Sequence, residues 1–189
     1  MSIGWVLHRD WVVVDQAFAD ELDGVLAFQR PPAGSTLVLV ARSVRHAPDF
    51  VLRVVGHPVV VITESYDGNG GAIDTSGTAG APGSPGRPAS ELSLYALAAT
   101  NVKLVARGGA GTPGSSSRGL SDGGAGALIT FRALAPTGIQ APPELCGKGG
   151  SGATPGATVA ASVSWYTGSA QWRSDVESVL GTSLVARAA

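Results

Sequence analysis

The chain has 189 residues, of which 44% are hydrophobic and only 14% charged, so it can fill one core but carries a surface far less charged than the roughly 25% of an ordinary soluble domain. A net charge of −1 removes the field that gathers nucleic acid, and its arginines are scattered along the chain. One cysteine, Cys146, excludes an internal disulfide framework. No apolar run approaches the roughly 20 residues of a membrane helix, and Met1 to Asp10 lacks the pattern of a secretory leader.

Residues 1–34 read as a mixed opening segment. Trp11-Val12-Val13-Val14 suits a short strand. Asp15 stands where a helix N-cap belongs, and Phe18, Leu22, Val25 and Leu26 follow at helical spacing. Gly24 weakens that helix, and Pro31-Pro32-Ala33-Gly34 ends it.

Residues 35–166 read as a glycine-rich β-domain. Thr36–Ala41, Phe50–Val55 and Pro58–Thr63 are valine-rich apolar runs, short enough for strands and apolar enough to be buried on both faces. Leu92–Leu97 and Val102–Ala106 alternate as half-buried strands do. Ala127–Arg132 and Thr158–Tyr166 are the remaining strand candidates. Residues 167–189 read as a C-terminal helix that caps the end of the β-region. Trp172, Val176, Val179 and Leu180 share one face, Ser174 with Glu177 offers a capping box, and Gly181 offers a stop.

Between the strands a phrase returns. Gly70-Gly71, Gly108-Gly109 and Gly149-Gly150 recur about every 40 residues, the range of stacked-repeat architectures. The sequence Leu-Val-Ala-Arg echoes at 39–42, 104–107 and 184–187. Residues 77–88 form four Gly-x-x triplets, a pattern that resembles collagen. Twelve residues are too few for an autonomous triple helix. The tract is therefore a solvated loop, a trimeric junction, or one of several tracts lying side by side, where glycine lets neighbouring backbones approach.

Chemical motifs are sparse. Asp67, Asn69 and Asp74 lie in a glycine-bearing loop that partly resembles a calcium-binding loop, with oxygens at alternating positions. The loop departs from the EF-hand type because Ala72 replaces the required glycine and no glutamate closes it. Asp-Gly and Asn-Gly are equally turn formers. No phosphate-binding loop or nucleophile elbow is present, and His8, His46 and His57 stand in no catalytic motif. Glu64, Asp67, Asp74, Glu91, Asp122 and Glu144 offer carboxylates for sugar hydrolysis, but no spacing selects a pair. Tyr66, Tyr95, Trp165, Tyr166 and Trp172 offer rings for stacking on a sugar.

These features predict a mainly β protein, a parallel β-solenoid with a C-terminal capping helix, with a β-sandwich as the alternative. The expected function is a non-enzymatic structural or protein-interaction module of a surface filament, fibre or appendage, in contact with a protein partner or further copies of itself. A carbohydrate-binding or carbohydrate-acting domain, and a calcium-dependent adhesive module built on Asp67, Asn69 and Asp74, are the other readings.

Overall fold

The computed structural model describes residues 3–113, 119–134 and 143–181. Gly114 of the second glycine tract, the Leu-Val-Ala-Arg echo at 184–187 and the last part of the expected 167–189 unit lie outside them.

The chain is mainly β, with two sheets that are parallel throughout. Long strands β1 (Ile3–Val14), β2 (Thr36–His46), β4 (Val59–Asp67), β6 (Leu92–Thr100), β8 (Ile129–Leu134) and β10 (Ser162–Tyr166) form a six-stranded sheet in the order β1-β2-β4-β6-β8-β10. Short strands β3 (Val51–Arg53), β5 (Ala72–Asp74), β7 (Lys103–Val105) and β9 (Glu144–Cys146) form a four-stranded sheet in the order β3-β5-β7-β9. The chain visits the two sheets alternately from β2 onward. An antiparallel sandwich is therefore not what this sequence builds.

Register explains why the apolar runs fold this way. Leu37, Val59, Leu92 and Ile129 lie opposite one another on successive strands, as do Leu39, Val61, Leu94 and Phe131. Across the core, Leu52, Ile73, Leu104 and Leu145 form a matching column. Most of these side chains are 6% exposed or less, the half-buried Leu145 being the exception. The long strands also change phase together. Trp5 and Leu7 of β1 pack against the core and then Val12 and Val14 do, and β2 turns from Leu39 and Ala41 to Val44. The ladder has no partnered residues at Asp10, Arg42 and Glu64. Inside this kink the buried Thr63 hydroxyl donates to the carbonyls of Arg42 at 3.1 Å and Ser65 at 2.8 Å.

Helix α1 (Gln16–Gln29) follows β1, with Asp15 accepting from the Phe18 N–H at 2.9 Å as the sequence predicts. Its Phe18 and Leu22 enter the core. Helix α2 (Ser169–Leu180) is present, but it lies across the outer face of the long sheet instead of over its end. Leu180, Val176, Val179 and Trp172 pack on Val38, Val60 and Ile62. The sheet therefore needs apolar residues on both faces, which is why β2 and β4 read as unbroken apolar runs. The helix starts at Ser169 with Gly168 as its N-cap, so Ser174 stands inside it and closes no capping box.

The glycine tracts lie side by side. Gly77 donates to the Arg107 carbonyl at 2.8 Å, Gly108 to Lys148 at 2.9 Å, Gly109 to Arg87 at 2.8 Å, Gly124 to Gly109 at 2.8 Å and Gly150 to Gly124 at 2.8 Å. A Cβ at Gly109 would collide with the Thr78 carbonyl, and one at Gly124 with that of Arg87. Glycine is required here for closeness of approach, since a methyl group would stand where the neighbouring carbonyl sits. Gly109→Ala is expected to destabilise the fold by about 3 kcal/mol. Gly119→Ala, with nothing within 4 Å of the added methyl, is expected to change stability by less than about 0.5 kcal/mol. Chemical denaturation of the two variants checks the contrast.

Candidate functional site

The predicted calcium residues fall at strand ends, and the structure joins two of the three. Asp67 ends β4, and Asn69 sits in the left-handed turn that follows, at φ 45°. The Asp67 Oδ1 accepts from the Asn69 N–H at 3.0 Å, from Asn101 Nδ2 at 3.1 Å and from the Thr100 hydroxyl at 3.3 Å. Arg45 Nε lies 3.7 Å from its Oδ2. Burial alone would raise this carboxyl's pKa, but the hydrogen bonds from Asn101, Asn69 and Thr100 and the charge of Arg45 outweigh it and hold the pKa below its ordinary value. Asn69 turns its amide nitrogen to the His46 carbonyl at 3.1 Å. Asp74 ends β5, where its Oδ1 accepts from the Ser76 N–H at 2.9 Å and bonds to neither of the others. One oxygen of each carboxylate thus already receives hydrogens from a nearby N–H, as in an Asx turn. Among the described residues no three His, Cys, Asp or Glu side chains are grouped to hold a metal.

The same corner holds a pair that sequence reasoning missed. His46 and Tyr66 are each 1% exposed and meet edge-on with ring centroids 5.5 Å apart. The Tyr66 hydroxyl lies 2.9 Å from His46 Nε2, and His46 Nδ1 lies 3.2 Å from the Phe50 carbonyl. A neutral imidazole that donates from Nδ1 and accepts at Nε2 satisfies both contacts. Burial lowers the His46 pKa, against the opposing pull of the Phe50 carbonyl and Asp67, and burial together with Asp67 raises that of Tyr66. Gly71 is needed beneath the ring, because a Cβ there would meet the Phe50 carbonyl and the imidazole. The available signal was the repeated placement of Asp49, Asn69 and Asn101 just past β2, β4 and β6, all at positive φ.

The remaining candidates divide between core and surface. Tyr66 and Tyr166 are buried, and Trp172 packs from α2 onto the long sheet. Trp165 is 44% exposed, with its ring edge-to-face against Phe131. Glu64 pairs with Arg42, Glu144 with Lys103, and Asp122 accepts from the Thr154 N–H. Cys146 on β9 receives a hydrogen bond from Arg107 Nε at 3.0 Å. Burial raises the thiol pKa, but Arg107 and Lys148 together bring it below its ordinary value. A cavity of about 20 Å³ beneath α1, lined by Phe18, Leu22, Leu52 and Val54, is apolar and has room for no more than about one water.

The larger features are the sheet edges. Among the described residues β1 bonds only to β2, and it is 12 residues long, with Trp11 72% exposed and Val13 56% exposed. β10 closes the other side, and there Val163 and Trp165 continue the core columns of Phe131 and Ala133 into solvent. No helix among the described residues is long and apolar enough to cross a membrane. No protein-family model matches the chain, and no curated protein or solved structure matches it.

Two outcomes test this corner. His46 is neutral when folded, with a pKa below that of the unfolded chain, so its contribution is complete above about pH 6.5 and is lost as pH falls toward the folded pKa. Thermal stability is expected to drop between pH 6.5 and 5, and to drop less in His46→Phe; equal slopes would contradict the assignment. The melting temperature is expected to be the same in calcium and in chelator, because a ligand must bind the native state to raise it. A clear rise with calcium would make the Asp67 to Asp74 loop a cation site.

Proposed function

We propose that this chain is a non-enzymatic structural or protein-interaction module of a larger assembly, such as a filament, fibre or appendage. In this reading each long strand, turn and short strand is one coil of a parallel β-solenoid, and the glycine tracts are the return segments of successive coils. The observation that carries it is β1 itself, a 12-residue edge strand that among the described residues pairs with β2 alone, with Trp11 and Val13 exposed beside the edge. Soluble chains usually blunt such an edge with proline, lysine or a covering element. β1 contains neither proline nor lysine, and its charges, Arg9 and Asp10, are confined to the kink at its middle.

Packing supports the same reading. The interior is filled by columns of apolar side chains, and the one cavity described above is too small for a substrate. What the molecule offers a partner is surface: two strand edges, few charges and several exposed apolar side chains. The carbohydrate-binding alternative has the exposed ring of Trp165 in its favour.

Sedimentation velocity across a wide concentration range, with electron microscopy of the same samples, tests the assembly reading. Species heavier than the 18.9 kDa chain are expected, growing with concentration. A chain that remains at 18.9 kDa throughout, and that binds glycans on an array in a manner abolished by Trp165→Ala, would replace it with the alternative.

A further inference from the structure

We infer that the partner of the β1 edge is a second copy of this chain, paired antiparallel through β1 about a two-fold axis between Arg9 and Asp10. The inference rests on the assembly reading and names the surface and the occupant. Its basis is a symmetry within the strand. The phase change at Asp10 sends Trp5 and Leu7 to the core before it and Val12 and Val14 after it, leaving Val6 and His8, then Trp11 and Val13, on the outer face.

Facing residues of an antiparallel pair must point to the same side of the sheet. With the axis between Arg9 and Asp10, Val6 faces Val13 of the second copy and His8 faces its Trp11. On the core side Trp5 faces Val14 and Leu7 faces Val12. Every pair matches in side, which an unkinked strand in this register would not achieve. The centre is matched in charge, because Arg9 of each copy faces Asp10 of the other. Arg9 is bonded to Glu21 on α1 and remains 42% exposed, so the side chain is ordered and still open to a partner.

The other edge does not offer this. β10 is five residues long and reads Ser162-Val163-Ser164-Trp165-Tyr166, without a charge. Head-to-tail stacking of β10 on β1 would leave both Arg9 and Asp10 facing neutral side chains. A two-fold contact uses the same patch on both copies, so this pairing by itself stops at a dimer, and the growth of a larger assembly takes place through other surfaces of that dimer.

Sedimentation equilibrium of the full chain tests the pairing, with circular dichroism to show that each variant is folded. Wild type is expected to be a dimer, and Arg9→Asp and Asp10→Arg are each expected to weaken dimerisation by about tenfold or more. Mixing the two variants restores opposite charges at both central positions, so the equimolar mixture is expected to dimerise again. In a Cys146→Ser background, Val6→Cys mixed with Val13→Cys is expected to form an intermolecular disulfide that neither forms alone. A wild-type monomer overturns the pairing. Self-association that both charge variants leave unchanged also overturns it, while the assembly reading then stands on another surface.

Discussion

Main chain bonding to main chain, between segments that run side by side, is the interaction on which the rest of this molecule depends. In the two sheets it takes the usual form, with every strand parallel to its neighbour. In the glycine tracts the same bonding continues with no strand geometry at all: Gly109 reaches Arg87, Gly124 reaches Gly109, and Gly150 reaches Gly124. A parallel strand pair tolerates side chains because they project above and below the sheet. Extended segments packed on several sides do not, and a Cβ at any of these three positions would occupy a neighbouring carbonyl's place. The high glycine content is thus a packing requirement. It lets long connecting segments satisfy their own polar groups without side chains to do so.

That constraint shapes the surface and the chemistry. Columns of leucine, isoleucine and valine fill the space between the sheets, and α2 packs on one outer face over Val38, Val60 and Ile62. The polar groups that do enter the interior are bonded locally. Thr63 holds the kink of the long strands, and His46 with Tyr66 closes the corner beside Asp67. Under α2 the fit is less complete, since among the described residues Arg132 Nε and Trp172 Nε1 are buried without a hydrogen-bond partner, although Arg132 is bonded to Asp175. These bonds hold neighbouring backbone and side chains in place. The edges of the sheets are where the molecule has unused bonding capacity.

Much of the architecture was legible in the sequence. Valine-rich runs at Thr36 and Val59 and the alternating run at Leu92 mark strands, Asp15 marks the start of α1, and the recurring glycines mark the segments between. Boundaries were less legible. β1 begins at Ile3, although only Trp11 to Val14 carries a β-branched run, because the edge strand extends as far as β2 offers it partners. β5 and β9 are three residues each, too short to show a period, and they exist because β3 and β7 supply a template. The role of α2 was misread because an amphipathic helix shows that it covers something apolar, not which surface that is. The candidate site was legible as turn chemistry at Asp67 and Asn69. The pairing of His46 with Tyr66 was not, since it depends on stacking residues 20 positions apart.

Hydrogen–deuterium exchange resolved to single amides tests the central claim most directly. If the glycine tracts are bonded to one another inside the fold, the amides of Gly109, Gly124 and Gly150 should exchange as slowly as those of Val61 and Ile62 in the middle of β4. Exchange of those glycine amides at the rate of open loops, with β4 still protected, would contradict it.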